Sequence, residues 1–145
     1  MVRKGSKYGF IDSKGNVIVP VEYDKIEKYG THSKNWALVR KGSKYGFINS
    51  KGQLIVPVDY DKIEKYGTYA KKWALVRKGS KYGFIDSKGK VIVPVEYDKI
   101  EKYGTHAKNR ALVRKGSKYG FIDSKGEVIV SIENDNPNTI KIEKD

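Results

Sequence analysis

Asp12, Asn49, Asp86 and Asp123 recur every 37 residues in four near-copies of "KYGFIDSKG". A carboxylate held at a repeated position could act as a general base. Asn49 cannot accept a proton in that role, whereas Asn and Asp serve a turn equally well by binding backbone amides nearby. The position therefore reads as a turn former. The pairs Glu22/Asp24, Asp59/Asp61 and Glu96/Asp98 are spaced as neighbours on one strand face. Two side chains per unit are few against the roughly six to eight oxygens that Ca²⁺ takes, so these pairs read as local partners of Lys25, Lys62 and Lys99. His32 and His106 fall at equivalent loop positions, with Tyr69 between them, and read as solvated. "KGSKYG" carries the Gly, Ser and Lys of a phosphate-cradling loop, but it lacks the Walker spacing and sits in a hairpin. Ser6, Ser43, Ser80 and Ser117 have no triad partners at consistent positions. The chain has no Cys, which excludes disulfides, zinc thiolates and thiol catalysis. No catalytic constellation remains, and neither a cofactor nor a metal is expected.

The surface chemistry is more suggestive. Arg40, Lys41 and Lys44 recur as Arg3/Lys4/Lys7, Arg77/Lys78/Lys81 and Arg114/Lys115/Lys118 around one hairpin. Stacked repeats would line these cations into a basic stripe. Trp36, Trp73 and Tyr69 lie close in sequence. Cations beside exposed rings bind nucleic acid through phosphate contact and base stacking. The same mixture of Trp, Tyr and Arg makes a protein-binding hot spot. Arg110 replaces Trp36 and Trp73 in the third copy, a change that a buried position would resist, so the site reads as partly exposed. The formal charge of +13 on 145 residues adds attraction for anions.

These residues have to be positioned by something, and the 37-residue period says what. Tyr8, Tyr45, Tyr82 and Tyr119 mark units 1–36, 37–73, 74–110 and 111–145 with no insertion. Each unit solves the same geometric problem and relies on its neighbours to bury what it cannot bury alone. "WALVR" (36–40), "YGFIN" (45–49) and "QLIVP" (53–57) read as short strands bounded by "KGSK" and "NSKG" turns. Gly46 lies where a neighbouring backbone or ring comes close. "VDYDKIEKYG" (58–67) suits a helical turn as well as a bent fourth strand. Tyr8, Phe10, Ile18, Val19 and their repeats read as core. Pro20, Pro57 and Pro94 end their strands and block further pairing at a sheet edge.

The order A-L-V-x-K-G-x-K-Y-G-F-I-D-x-x-G-x-V-I-V-P-x-x-Y-D resembles the WG repeat, a bacterial β-rich module named for a Trp-Gly pair. Here the pair is Tyr8-Gly9, Tyr45-Gly46, Tyr82-Gly83 and Tyr119-Gly120. The resemblance covers nearly the whole chain. It implies an interaction scaffold and brings no common catalytic activity. The expected class is all-β: one repeat domain over 1–145 of about three antiparallel strands per unit, as an open β-solenoid or hairpin array, with a closed four-bladed ring as the alternative. The first unit enters without the Trp and Ala of later copies. In the last unit Ser131 replaces the Pro, and six Lys/Arg meet six Asp/Glu, which reads as a neutral cap. Residues 128–133 are expected to pair with 139–143 across "NDNPN".

The function expected is a non-catalytic scaffold that binds a macromolecular partner, a protein first, as adaptor or occluding inhibitor, including an inhibitor of a nucleic-acid enzyme. Its face would comprise Arg40, Lys41, Lys44, Arg77, Lys78, Lys81, Trp36, Trp73, Tyr69 and Arg110. Direct binding of nucleic acid or another polyanion is the alternative. No apolar run approaches the roughly 20 residues that span a bilayer, and no h-region follows the basic N-terminus, so membrane insertion is not expected and the cytoplasm is.

Overall fold

The computed structural model of the chain describes residues 1–134. Fifteen strands run through them: β1 (Val2–Lys4), β2 (Lys7–Ile11), β3 (Val17–Tyr23), β4 (Lys25–Ile26), β5 (Ala37–Lys41), β6 (Lys44–Ile48), β7 (Leu54–Tyr60), β8 (Lys62–Ile63), β9 (Ala74–Lys78), β10 (Lys81–Ile85), β11 (Val91–Tyr97), β12 (Lys99–Ile100), β13 (Ala111–Lys115), β14 (Lys118–Ile122) and β15 (Val128–Asn134). The ambiguous "DYDKIEKYG" stretch is strand and coil, with no helix among the described residues. The strands form four antiparallel sheets, none closing into a barrel. The class is an open all-β repeat array, the first of the two architectures expected. The expected pairing with residues 139–143 lies outside the described residues.

Two compact units divide the chain, Met1–Lys65 and Tyr66 onward. The first holds sheets β1-β2-β3 and β4-β5-β6-β7; the second holds β9-β10-β11 and β12-β13-β14-β15. Each central hairpin is set by its turn. In β5–β6 the register ends at Lys41↔Lys44, leaving Gly42 and Ser43 as a two-residue loop. Gly42 has φ +64° while Ser43 stays negative, the arrangement of a II′ turn whose twist suits the flanking strands. The following turn is built as the sequence implies. Asp12 Oδ1 accepts the amides of Lys14 and Asn16 at 2.9 and 2.8 Å. Asn49 Oδ1 does the same for Lys51 and Gln53 at 3.0 and 2.9 Å. An amide oxygen thus replaces a carboxylate without loss of the turn.

The seven-residue strand of each sheet, β3, β7, β11 or β15, is bulged. Tyr45 pairs with Tyr60 but Phe47 with Val56, so two residues of β6 oppose four of β7. The extra backbone carries Pro57 toward β6, where a Cβ on Gly46 would lie 2.4 Å from the Val56 carbonyl oxygen and 2.9 Å from that of Pro57. Gly46 is required by this close approach, as the sequence suggests. Strand β7 runs past Pro57 to Tyr60, because the bulge on an edge strand accommodates the missing donor. A second bulge explains a departure from the expected core. Phe10 pairs with Val19 and Ile11 with Val17, leaving Ile18 out of alternation and 38% exposed, while Val19 is 1% exposed.

The core lies between consecutive repeats. In the first unit Val19 and Tyr23 of one sheet pack with Ala37, Val39 and Ile48 of the next, flanked by Phe10, Ile26 and Val58. In the second unit Phe84, Val93 and Tyr97 pack with Ala111, Val113 and Ile122. Ile48, Ile85 and Ile122 are 0% exposed, whereas the matching Ile11 is 44% exposed, with no sheet of the described residues packed over it. Polar ties follow the same direction. Strands β4 and β12 add to the hairpins of the following repeat, pairing Ile26 with Val39 and Ile100 with Val113. The Tyr29 hydroxyl donates to the Asn49 carbonyl at 2.8 Å, and Tyr103 to that of Asp123 at 2.7 Å. Burial holds both phenols above their ordinary pKa.

Candidate binding site

Within each hairpin the cations flank one turn, and they are already engaged. Lys44 Nζ donates to Asp61 Oδ1 and Lys81 Nζ to Asp98 Oδ1, each at 2.6 Å. Arg40 Nη1 and Arg77 Nη1 fold back onto the carbonyls of Gly42 and Gly79 at 2.7 Å. Lys41 lies 3.8 Å from Glu22, and Lys78 also has a partner. Asp24 and Asp98 do more than neutralise. Asp24 bridges Lys7 and the Gly42 amide, and Asp98 bridges Lys81 and the Gly116 amide, the latter at 2.6 Å. The lysine first and the amide second hold both carboxyls below the ordinary carboxylate value. This corrects the expected pairing: Lys25, Lys62 and Lys99 instead meet Glu27, Glu64 and Glu101 at 3.0 Å. Those glutamates lie two residues along the same chain, within reach without crossing the sheet.

The aromatic residues lie elsewhere. Trp36 precedes β5 and Arg40 stands near its far end, so at about 3.3 Å per residue roughly 13 Å separate them along the strand. Trp36 and Trp73 are half-buried, as expected, with rings 5.5 Å from Phe47 and 5.6 Å from Phe84. Arg110 keeps the same backbone bridge as the two Trp residues, pairing with Ala107 as they do with Ser33 and Ala70. His32 is not a solvated loop side chain: it is half-buried 6.5 Å from Phe47, and burial lowers its pKa. His106 is exposed.

In the second unit the loop end opens into a pocket of about 550 Å³ lined by Ala70, Lys71, Lys72, Trp73, Tyr103, Gly104, Lys108, Asn109 and Ser124. Trp73 meets Tyr103 edge to face at 5.9 Å, and both pack on Phe84. The third wall is the turn of β14–β15. A Cβ on Gly126 would lie 3.4 Å from the indole and 2.8 Å from Val93, so glycine, at φ +83°, lets this turn close on the preceding repeat. Tyr69 stands beside the pocket, with Lys102 Nζ 5.6 Å from its ring centre. Lys71, Lys72 and Lys108 are exposed and, among the described residues, lie in no ion pair and have no carboxylate beside them in the lining. Asn109 has φ +60°, the left-handed conformation that Asn adopts more readily than other side chains.

The sequence matches the WG containing repeat at residues 8–45, 45–82, 82–119 and 119–133, which together run over most of the chain. The chain belongs to the WG-repeat family. No curated protein matches it. Within each WG repeat the Tyr that stands for Trp is half-buried and pairs across the sheet, Tyr45 with Tyr60 and Tyr82 with Tyr97, so the substituted ring serves the sheet. The sequence groups Trp73 and Tyr69 with Arg77, Lys78 and Lys81, whereas the structure sets them beside Lys71, Lys72, Lys102 and Lys108. Tyr103, Asn109 and Ser124 also line this pocket and carry no mark in the sequence reading. The available signal was the antiparallel hairpin: the "SKG" turn of one repeat and the loop before its first strand lie at the same end, away from "RKGSK".

Proposed function

We propose that this WG-repeat chain is a non-catalytic scaffold, acting in the cytoplasm, that binds a macromolecular partner, a protein, at the loop ends of its hairpins. The observation that supports this reading is the distribution of uncompensated charge. The hairpin cations are engaged by Asp61, Asp98 and turn carbonyls, whereas Lys71, Lys72 and Lys108, beside Trp73 and Tyr103, have no ion-pair partner among the described residues. A half-buried Trp with cations around it has the composition of an interface hot spot. A continuous phosphate-tracking stripe would need the hairpin cations to leave their carboxylates, which favours protein over nucleic acid.

The test is a pull-down from lysate, with and without nuclease treatment, using three baits: the native chain, Lys71→Glu/Lys72→Glu/Lys108→Glu, and Arg40→Glu/Lys41→Glu/Arg77→Glu/Lys78→Glu. The proposal expects a discrete protein held by the native chain and lost from the loop variant. Capture that disappears with nuclease, together with duplex binding whose log affinity falls by about 0.9 per phosphate contacted for each unit of log salt, would replace it with direct nucleic-acid binding.

A further inference from the structure

We propose that the pocket between residues 70–73 and 103–109 is a small-molecule site for an aromatic ring carrying a phosphate, a free mononucleotide. Its volume of about 550 Å³ lies in the range of clefts that enclose a whole small ligand, about 300–1,000 Å³. Trp73 and Tyr103 form an aromatic wall braced by Phe84, a surface suited to a flat ring. Lys71, Lys72 and Lys108 supply positive charge, with no carboxylate among the described lining residues.

The choice of ligand follows from what the lining offers. The cations are three lysines, compact charges with three donors each, and such a cluster favours a phosphate, which carries more charge and more acceptor oxygens than a single carboxylate. Besides the aromatic wall, whose Tyr103 hydroxyl is taken up by the Asp123 carbonyl, the neutral polar side chains among the described lining residues are Asn109 and Ser124. Two such groups meet the edge of one nucleobase, but they leave most hydroxyls of an acidic sugar unsatisfied on burial. The site shares Trp73, Tyr103, Lys71, Lys72 and Lys108 with the proposed partner face, yet neither reading requires the other, since a chain that captures no protein can still bind a nucleotide.

Fluorescence reads this directly, because the chain has two Trp residues and Trp36→Phe leaves Trp73 as the sole indole. AMP, adenosine, inorganic phosphate and glucuronate are titrated into that variant, with calorimetry on the native chain as a second readout that does not depend on the substitution. AMP is expected to quench saturably, with adenosine, phosphate and glucuronate each at least about tenfold weaker. Lys72→Glu/Lys108→Glu, two exposed side chains, should weaken AMP about tenfold or more while leaving the thermal midpoint in place. Absence of saturable AMP binding up to about 10 mM by both methods overturns the proposal. Equal affinity for glucuronate overturns it too, as does a lysine variant that binds AMP as well as the native chain. Affinity for oligonucleotides that rises with length, without measurable AMP binding, likewise counts against a small-molecule site.

Discussion

Asp24 and Asp98 each hold a lysine of one hairpin and the turn amide of the next, which makes a single carboxylate the joint between two repeats. Both carboxyls are held below their unfolded value of 3.8, so the folded state binds fewer protons than the unfolded state there. Their stabilisation is complete above that unfolded value and disappears as pH falls through the lower folded one. Thermal melts between pH 2 and pH 6 should show Asp98→Asn less stable than the native chain at the upper end, with the gap closing at the lower. A constant gap would mean that the carboxylate charge contributes nothing. This joint was half legible. The Asp and its lysine both appear in the repeat, but their separation of 17 residues becomes a contact only once β10 and β11 pair. A reading of nearest charges chose Lys99 instead.

The bulged strand is the element that fixes the sheet, and its constraint falls on a residue without a side chain. Gly46→Ala would push a methyl against two carbonyls of β7, neither of which can move without disrupting the bulge. A loss of about 1–3 kcal/mol is expected by denaturant titration, typical of overpacking. Substituting Gly42 tests a different constraint, a positive φ with nothing near the missing Cβ. The strands, both turns and the role of Gly46 could be read from "KYGFIDSKG" because each depends on local chemistry. The fate of Ile18 could not, since a shift of one residue in pairing turned it outward. For the same reason the binding site was read only in part: Trp36 and Arg40 are close in sequence, yet β5 sets them at opposite ends.

At the scale of the molecule, stability is passed, within each compact unit, from one repeat to the next. Ile48→Ala should cost about 2–5 kcal/mol, since Ile48 is buried between two sheets, while Ile11→Ala should cost less than about 1 kcal/mol. Chemical denaturation of the two variants decides this, and equal costs would deny that repeats bury one another's faces. The period and the family resemblance made this architecture legible, whereas the direction of the ties emerged only from the hydrogen bonds. Those ties also limit how the chain can change length. Lys7 reaches Asp24 over 17 residues, Asp24 reaches Gly42 over 18, and Tyr29 reaches Asn49 over 20, so every stretch of the repeat lies inside at least one measured span. One inserted residue strains a span wherever it falls, but a whole block of 37 residues brings its own complete set. Such a protein grows or shrinks by duplication and deletion of intact modules, and its length is counted in repeats.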